Sequence, residues 1–283
     1  MRILVTGAKG ALGQDLVECM SSSPGIEVVA ASHGDLDVAN RTMVLEAMVG
    51  IRPDVVIHTA AWTAVDGCET NPDRAFAVNA MGTRHLHEGS RRVGAHLCYV
   101  STDYVFDGRS DRAYNEWDDP NPLSVYGRSK LAGERELDPS ATVVRTSWLG
   151  GRRGSNFVRT TLGLATSGVP LRFVDDQYGC PTFTADLAPA IRALATDRRP
   201  GLFHVTNQGA TTWCGFARAI LATAGLDPDR VEAITTAELQ PSRPAPRPAN
   251  SVLDNAALRL SGDDLLPTWK DSLDQLVKEM VAT

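Results

Sequence analysis

Ile3-Leu4-Val5-Thr6-Gly7-Ala8-Lys9-Gly10-Ala11-Leu12-Gly13 is the stretch that decides the fold of this chain. Its apolar residues 3–5 predict a buried strand, and the segment 12–20 has the pattern of a helix. Between them, glycines at a GxxGxxG spacing permit a tight turn, let a pyrophosphate approach the backbone, and let the helix pack closely on the strand. The positive end of such a helix attracts phosphate, so the loop predicts a dinucleotide-binding site. The residues predicted to hold the dinucleotide here are Gly7, Lys9, Gly10, Ala11, Leu12 and Gly13.

Short apolar segments and helical segments alternate through the first half of the chain. Strands are predicted at 27–31, 55–57, 97–100 and 142–145, and helices at 42–49, 74–94 and 124–136. This alternation is typical of an α/β protein, and it predicts a Rossmann-like, doubly wound parallel sheet. Ligands bind such sheets beyond the carboxyl ends of the strands, which is where the glycine loop lies.

The second half of the chain is less regular. Helices are predicted at 184–195 and 215–224 and a strand at 201–206, while 175–184 has the character of an ordered loop. Residues 241–248 are rich in proline and are expected to be extended. We therefore expect a dinucleotide-binding Rossmann domain at 1–150 and mainly a smaller C-terminal substrate-binding lobe at 151–283. We also expect parts of the second half to return to the first-half sheet.

Composition and charge exclude several classes of protein. Hydrophobic residues make up 43% of the chain and charged residues 22%, as in ordinary soluble proteins, and the net charge of −6 argues against a nucleic-acid surface. No apolar run approaches the roughly 18 residues that a membrane span needs, and the N-terminus lacks the features of a signal peptide. The five cysteines contain no CxxC pair, which favours free thiols. These features predict a cytoplasmic protein with no membrane or nucleic-acid partner.

Two further motifs carry the chemistry: STDYVFDG at 101–108 follows a predicted strand, and YGRSK at 126–130 lies on a predicted helix. Residues four apart share a helix face, so Tyr126 and Lys130 are expected side by side. A lysine ammonium lowers the pKa of a nearby tyrosine, and that tyrosine can protonate a carbonyl oxygen as hydride arrives. Thr102 can hold the same oxygen as negative charge develops. Thr102, Tyr126 and Lys130 therefore predict a carbonyl reductase.

The choice of cofactor depends on the end of the second strand. The acid that usually binds the ribose 2′-hydroxyl is expected about 20 residues beyond the glycine loop, and residues 31–34 contain none. Ser32 and His33 can tolerate a 2′-phosphate, with Lys9 or Arg41 as its partner. Asp37 and Val38 are expected at the adenine. These features favour NADPH, with NADH as the alternative.

Short motifs along nearly the whole chain resemble those of the extended short-chain dehydrogenase/reductases, and within that superfamily those of the dTDP-4-dehydrorhamnose reductase family. The matching motifs are TGAKGALG (6–13), TAAWTAVDGCE (59–69), NA (79–80), STDYVFDG (101–108), VYGRSKLAGE (125–134), RTSWLG (145–150), DDQYGCPT (175–182) and RPANSVLD (247–254). The resemblance implies NAD(P)H-dependent reduction of the C4 keto group of a dTDP-linked 4-keto-6-deoxysugar, dTDP-4-dehydro-L-rhamnose.

The resemblance also implies roles for individual residues. Thr102, Tyr126 and Lys130 correspond to the catalytic triad, with Tyr126 as proton donor and Lys130 also on the nicotinamide ribose. Further residues implied to contact the cofactor are Ala60, Ala61 and Thr63. Those implied to contact the substrate are Val65, Asp103 and Tyr104 at the sugar, Trp148 stacked on the thymine, and Asn156 on the nucleotide side.

Several alternatives stay open from the sequence. A relative acting on another deoxysugar is one, and a non-catalytic regulatory homologue is another, although the complete triad disfavours it. A sugar-nucleotide 4,6-dehydratase is disfavoured because Tyr104 stands where that family has its glutamate acid. Some family members bind magnesium at a dimer interface, but Asp15 is shorter than the glutamate expected there, so we assign no metal-binding residue and leave magnesium and the choice between monomer and homodimer open.

Overall fold

A computed structural model describes residues 1–281 of the chain. Its strands are β1 (Arg2–Thr6), β2 (Glu27–Ala31), β3 (Val55–His58), β4 (His96–Thr102), β5 (Thr142–Thr146), β6 (Leu149–Gly150), β7 (Leu171–Val174), β8 (Tyr178–Gly179), β9 (Thr182–Phe183), β10 (Gly201–His204), β11 (Thr211–Thr212) and β12 (Val231–Ile234). Its α-helices are α1 (Ala11–Ser21), α2 (Arg41–Ile51), α3 (Val65–Thr70), α4 (Pro72–Phe76), α5 (Gly82–Val93), α6 (Val125–Arg135), α7 (Phe157–Ser167), α8 (Thr184–Thr196), α9 (Trp213–Thr223), α10 (Ala256–Ser261) and α11 (Trp269–Val281).

The central sheet has six strands in the order β10-β5-β4-β3-β1-β2, and every neighbouring pair is parallel. Alternate residues of a strand face opposite sides, so Ile3 and Val5 pack under α1 and α8 while Leu4 packs under α2 and α5. Because both faces are covered, β3 is buried along its whole length. The predicted Rossmann-like, doubly wound fold is confirmed.

The helix predicted at 74–94 is interrupted in the structure. It begins as α4, passes through a π-helical turn at Ala77–Met81, and continues as α5. A π-turn inserts one residue into the helix and is frequent near functional sites. Here it carries Asn79, whose side chain is fully buried.

The second half of the chain contributes to the central sheet and to a smaller layer. Strand β10 pairs in parallel with β5, and α8 packs against α1. The smaller layer consists of helices α7, α9 and α11 and of the short sheets β7–β12, β8–β11 and β6–β9. Its helices pack around the buried side chains of Phe216 and Trp269. Within residues 1–281, no helix has the length and apolar character needed to cross a membrane.

Candidate active site

A cleft of about 700 Å³ opens where β1, β3, β4 and β5 end, which is within the size range of small-molecule sites. All the residues that the sequence analysis proposed for the site, except Arg41, line this one cleft. They are Gly7, Lys9, Gly10, Ala11, Leu12, Gly13, Ser32, His33, Asp37, Val38, Ala60, Ala61, Thr63, Val65, Thr102, Asp103, Tyr104, Tyr126, Lys130, Trp148 and Asn156. Their individual roles remain predictions, but the structure brings them together.

The glycine loop fits a dinucleotide. Gly7 has φ +70°, and a Cβ there would lie 2.7 Å from the backbone nitrogen of Ala60, so only glycine is accommodated. A Cβ at Gly13 would lie 2.3 Å from the Gly7 carbonyl oxygen, which explains the close packing of α1 on the loop. Gly10 is the N-cap of α1 and makes no side-chain cap, which leaves first-turn N–H groups for a phosphate.

The structure corrects the sequence analysis on Arg41 and places an acid near the predicted ribose-binding end of the cleft. Asp35 is not among the lining residues, but its carboxylate accepts a hydrogen bond from the backbone nitrogen of the lining residue Ser32 at 2.9 Å and another from the Ser32 hydroxyl. These bonds lower the pKa of Asp35. Arg41, one of the two cations considered for a 2′-phosphate, instead pairs with Glu88 through Nε at 2.8 Å. Lys9 is the remaining candidate, and it lines the cleft.

Two contacts fix the start of the helix that carries Tyr126 and Lys130. The Ser124 hydroxyl accepts a hydrogen bond from the Gly127 nitrogen at 3.1 Å, which caps α6. A carboxylate oxygen of Glu69, on α3, accepts one from the Val125 nitrogen at 2.6 Å. With the helix start set, the (i, i+4) spacing brings both functional side chains to the cleft, where β4 delivers Thr102.

Tyr126, Lys130 and Thr102 are all buried, with 9%, 2% and 6% of their surfaces exposed. The Lys130 ammonium donates to the Val100 carbonyl oxygen at 2.7 Å and lies 4.2 Å from the centre of the Tyr99 ring. Burial lowers the pKa of Lys130 to about 7. Burial also raises the pKa of Tyr126 above the usual 10. The predicted lowering of the tyrosine pKa by Lys130 is therefore not found, because desolvation is the dominant effect on both groups.

Asp103 and Tyr104 follow Thr102 in a single turn of 3₁₀ helix. The Thr102 hydroxyl donates to an Asp103 carboxylate oxygen at 3.0 Å and accepts from the Tyr104 nitrogen at 3.2 Å. Burial raises the pKa of Asp103 to about 6. The Tyr104 ring meets the Tyr126 ring edge-on, with centroids 5.7 Å apart. Asp103 and Tyr104, two of the three residues predicted at the sugar, therefore contact the catalytic candidates directly.

Trp148 is held rigidly at the other side of the cleft. Its backbone has φ +45°, and its indole stacks on that of Trp213 with centroids 3.6 Å apart and planes 7° from parallel. A Cβ at Gly179 would lie 2.4 Å from Trp148 Cε2, so glycine is needed beside the ring. Trp213, which the sequence analysis missed, lines the cleft as well. It lies two residues before the helix predicted at 215–224, and no local pattern linked it to Trp148.

Asn156 lies at the same side of the cleft. Its carbonyl oxygen caps α7 by accepting from the Arg159 nitrogen at 3.2 Å, and its amide donates to the Gly151 carbonyl oxygen at 2.7 Å. The neighbouring Arg153 pairs with Asp15 at 2.9 Å and is directed away from the cleft lining.

The Arg153–Asp15 ion pair involves the carboxylate that the sequence analysis considered as a magnesium ligand. The Asp15 carboxylate accepts hydrogen bonds from Arg153 and from the Thr184 hydroxyl, so its oxygens are occupied. The pair of histidines at 85 and 87 is also engaged: His85 Nδ1 is 3.0 Å from the Val38 carbonyl oxygen, and His87 is 3.2 Å from Asp138. Within residues 1–281, no group of three or more His, Cys, Asp or Glu side chains is placed to hold a metal ion. The five cysteines are free thiols, as their spacing predicted.

The cleft is also lined by residues to which the sequence analysis assigned no individual role. They include Leu36, Thr59, Trp62, Arg74, Val78, Ser101, Thr146, Ser147, Leu149, Ser155 and Trp213. Most are apolar or small and complete the walls, whereas Trp62 and Arg74 form a unit of their own.

Comparison with known proteins gives consistent matches. The family model described as RmlD substrate binding domain matches residues 1–282. A dTDP-4-dehydrorhamnose reductase of Streptomyces griseus is 42% identical over 283 residues, covering 97% of this chain and 92% of the relative. A probable dTDP-4,6-dihydroxy-2-methyloxan-3-one 4-ketoreductase of Streptomyces antibioticus is 40% identical, covering 100% and 96%. The crystal structure of a Bacillus anthracis dTDP-4-dehydrorhamnose reductase in complex with NADP is 37% identical, covers 98% of this chain and 99% of that one, and superimposes with a TM-score of 0.93.

Proposed function

The chain belongs to the dTDP-4-dehydrorhamnose reductase family, that of the RmlD substrate binding domain, and on this premise we propose that it reduces the C4 keto group of dTDP-4-dehydro-L-rhamnose with NADPH to give dTDP-L-rhamnose. The observation that carries the proposal is the convergence of Thr102, Tyr126 and Lys130 on the cleft that also contains the glycine loop. A proton donor, an oxyanion partner and a dinucleotide site in one cleft are the requirements of a carbonyl reductase. NADPH is the proposed cofactor, with NADH as the alternative.

The reduction adds a hydride to the C4 carbon and a proton to its oxygen. When bound, the reduced nicotinamide supplies the hydride. Tyr126 supplies the proton, and its raised pKa keeps the phenol protonated until the developing alkoxide takes that proton. The Thr102 hydroxyl, which donates to Asp103 in this structure, turns to donate to the same oxygen, and Lys130, when protonated, stabilises the tyrosinate that remains. The products of the step are the C4 alcohol, the oxidised cofactor and the Tyr126 tyrosinate, which takes up a proton from water before the next turnover, so atoms and charge balance.

The remaining cleft residues bind and orient the two ligands in this proposal. Asp103, Tyr104 and Val65 contact the sugar, and Trp148 stacks on the thymine from the face that Trp213 does not cover. Trp213 thus acts as a backing that holds the platform flat.

A second candidate is reduction of the C4 keto group of another dTDP-linked deoxysugar. The similarity to the Streptomyces antibioticus 4-ketoreductase favours it, because the reaction class is the same and the sugar differs. A dehydratase is disfavoured, because the acid that would protonate the leaving C6 hydroxyl is replaced by Tyr104. The complete triad and the formed cleft argue against a purely regulatory homologue.

The test is NADPH oxidation with dTDP-4-dehydro-L-rhamnose, followed by NMR of the product sugar, for the wild-type protein and for Tyr126→Phe. The phenylalanine variant retains cofactor affinity and loses turnover by about 100-fold or more, because only the proton donor is removed. Near-normal turnover in that variant refutes the role of Tyr126. If the wild-type protein reduces a different dTDP-linked 4-keto sugar much faster, the second candidate function replaces the first.

We further propose a cytoplasmic protein, monomeric or homodimeric, with no nucleic-acid or membrane partner.

A further inference from the structure

Trp62 and Arg74 form a pair at the cleft to which neither the sequence analysis nor the proposed mechanism assigns a role. Trp62 belongs to the segment after β3, and Arg74 lies in α4. The Arg74 guanidinium carbon lies 4.5 Å from the centre of the Trp62 ring, and both side chains line the cleft. Arginine stacks readily on aromatic faces, and a stacked guanidinium keeps its N–H groups for a further partner.

The aromatic half of this pair is fixed by the backbone beneath it. The Asn79 side chain accepts a hydrogen bond from the Trp62 nitrogen at 2.8 Å and donates one to the Trp62 carbonyl oxygen at 3.2 Å. The same amide nitrogen donates to the Ser129 hydroxyl at 2.9 Å, so the Trp62 segment is tied to the helix of Lys130. Arg74 is itself anchored, since its backbone nitrogen donates to the Asn71 side chain at 3.2 Å. A guanidinium held over a fixed ring loses little entropy when it binds a ligand.

The charges around the cleft leave Arg74 without a counter-ion. Its exposed guanidinium has no hydrogen bond or ion pair with any residue of the described part of the chain. The other cations of the lining are placed differently: Lys130 is buried on the Val100 carbonyl, and Lys9 lies near enough to Asp35 to lower the pKa of that carboxyl. Of the lining acids, Asp37 is 3.9 Å from His33 and Asp103 is bonded to Thr102.

We propose that Arg74, supported by Trp62, binds a phosphate group of a nucleotide in this cleft. The planar fork of a guanidinium matches two phosphate oxygens, which a lysine cannot do. The inference rests on the proposed function, which brings two diphosphates into the cleft, one in the cofactor and one in the sugar nucleotide. Arg152 and Arg153 are basic neighbours of the nucleotide side, but both pair with Glu18.

The experiment measures the dissociation constants of NADP⁺ and of dTDP separately, by calorimetry at low and high salt, on the full chain. The variants are Arg74→Met, Arg74→Lys, and Arg135→Met as a control that removes an exposed arginine outside the cleft lining. Arg74→Met is expected to weaken at least one of the two ligands by about tenfold or more at low salt and less at high salt, because a charge-assisted contact is lost. Arg74→Lys is expected to recover part of the affinity, and Arg135→Met to change neither constant.

The ligand that loses affinity identifies which phosphate Arg74 contacts. Affinities within about twofold of wild type for both ligands overturn the proposal. A loss that comes with a lowered melting temperature, and that Arg74→Lys shares in full, also overturns it, because the substitution then acts through the fold of the cleft. Because binding and not turnover is measured, failure of the proposed function can be told apart from failure of this inference. A wild-type protein that binds neither NADP⁺ nor dTDP refutes both. Normal binding of both ligands by Arg74→Met refutes the inference alone.

Discussion

Lys130→Met should change how the stability of the protein depends on pH. Lys130 is 2% exposed, and burial lowers its pKa from 10.5 to about 7. The folded protein therefore holds this lysine neutral in a pH range where the unfolded chain holds it protonated. Because unfolding then takes up a proton, the free energy of unfolding rises with pH between these two pKa values.

The size of the effect follows from the two pKa values. Where the unfolded lysine is fully protonated and the folded one is not, the slope is about 1.36 kcal/mol per pH unit. From about pH 7 to about pH 9 that slope gives at most about 2.7 kcal/mol, and partial protonation of folded Lys130 near pH 7 reduces the rise to about 2 kcal/mol. The variant has no titrating group at this position, so the wild-type protein should gain about 2 kcal/mol relative to Lys130→Met over this range. The sign is opposite to that of a lysine in a salt bridge, which loses stability as the pH rises.

Urea unfolding followed by circular dichroism at three pH values across this range measures the difference directly. Lys278→Met, which removes an exposed lysine of α11, serves as the control and should run parallel to wild type. Parallel curves for wild type and Lys130→Met, with a difference constant within about 0.5 kcal/mol, would show that Lys130 is not desolvated in the folded protein and would refute the reasoning.

Two further substitutions test the buried Glu134–Arg145 ion pair and the stacking role proposed for Trp148. Glu134→Gln should lower the free energy of unfolding by about 3 kcal/mol, because it leaves the charge of Arg145 uncompensated in a pair whose side chains are only 9% and 4% exposed. Glu136→Gln, which breaks the geometrically similar but exposed pair with Arg84, should cost less than about 1 kcal/mol, and equal losses in urea titrations would contradict the argument from burial. Trp148→Ala should raise KM for the sugar nucleotide by up to about tenfold with a smaller fall in kcat, since a stack holds ground and transition states alike. Steady-state kinetics decide this, and a fall in kcat with an unchanged KM would count against a thymine platform.

The sequence predicted the parts of the fold that repeat with a clear period. The strands at β1 to β5 are apolar runs between helices, and their parallel order follows from that alternation. The short strands β6, β8, β9 and β11 have two residues each, so they carry no periodic signal and exist only through pairing with distant segments. The π-turn at 77–81 was equally unreadable, because a helix with one inserted residue keeps nearly the same apolar pattern.

The site could be predicted where the chemistry requires a residue type at a fixed spacing. The glycine loop and the Tyr126–Lys130 pair meet that condition, and the structure brings them to one cleft with Thr102. Trp213 and Arg74 could not be found in this way, since neither stands at a fixed spacing from the glycine loop or from the Tyr126–Lys130 pair. Asp35 was overlooked for a different reason: it lies one residue beyond the window in which a ribose-binding acid was sought.

In the proposed reaction, burial prepares Tyr126 and Lys130 for reduction rather than for the reverse reaction. The same loss of water acts oppositely on the two groups, raising the pKa of Tyr126 and lowering that of Lys130. A protonated tyrosine is loaded as a donor before hydride transfer, whereas oxidation of an alcohol would need the tyrosinate as a base. Lys130 titrates near neutrality, so its ammonium is close at hand when the tyrosinate forms, and the charge that develops on the phenol oxygen would itself raise the lysine pKa. In the proposed mechanism, Tyr126 is therefore a donor before hydride transfer, and Lys130 stabilises the tyrosinate that remains afterwards.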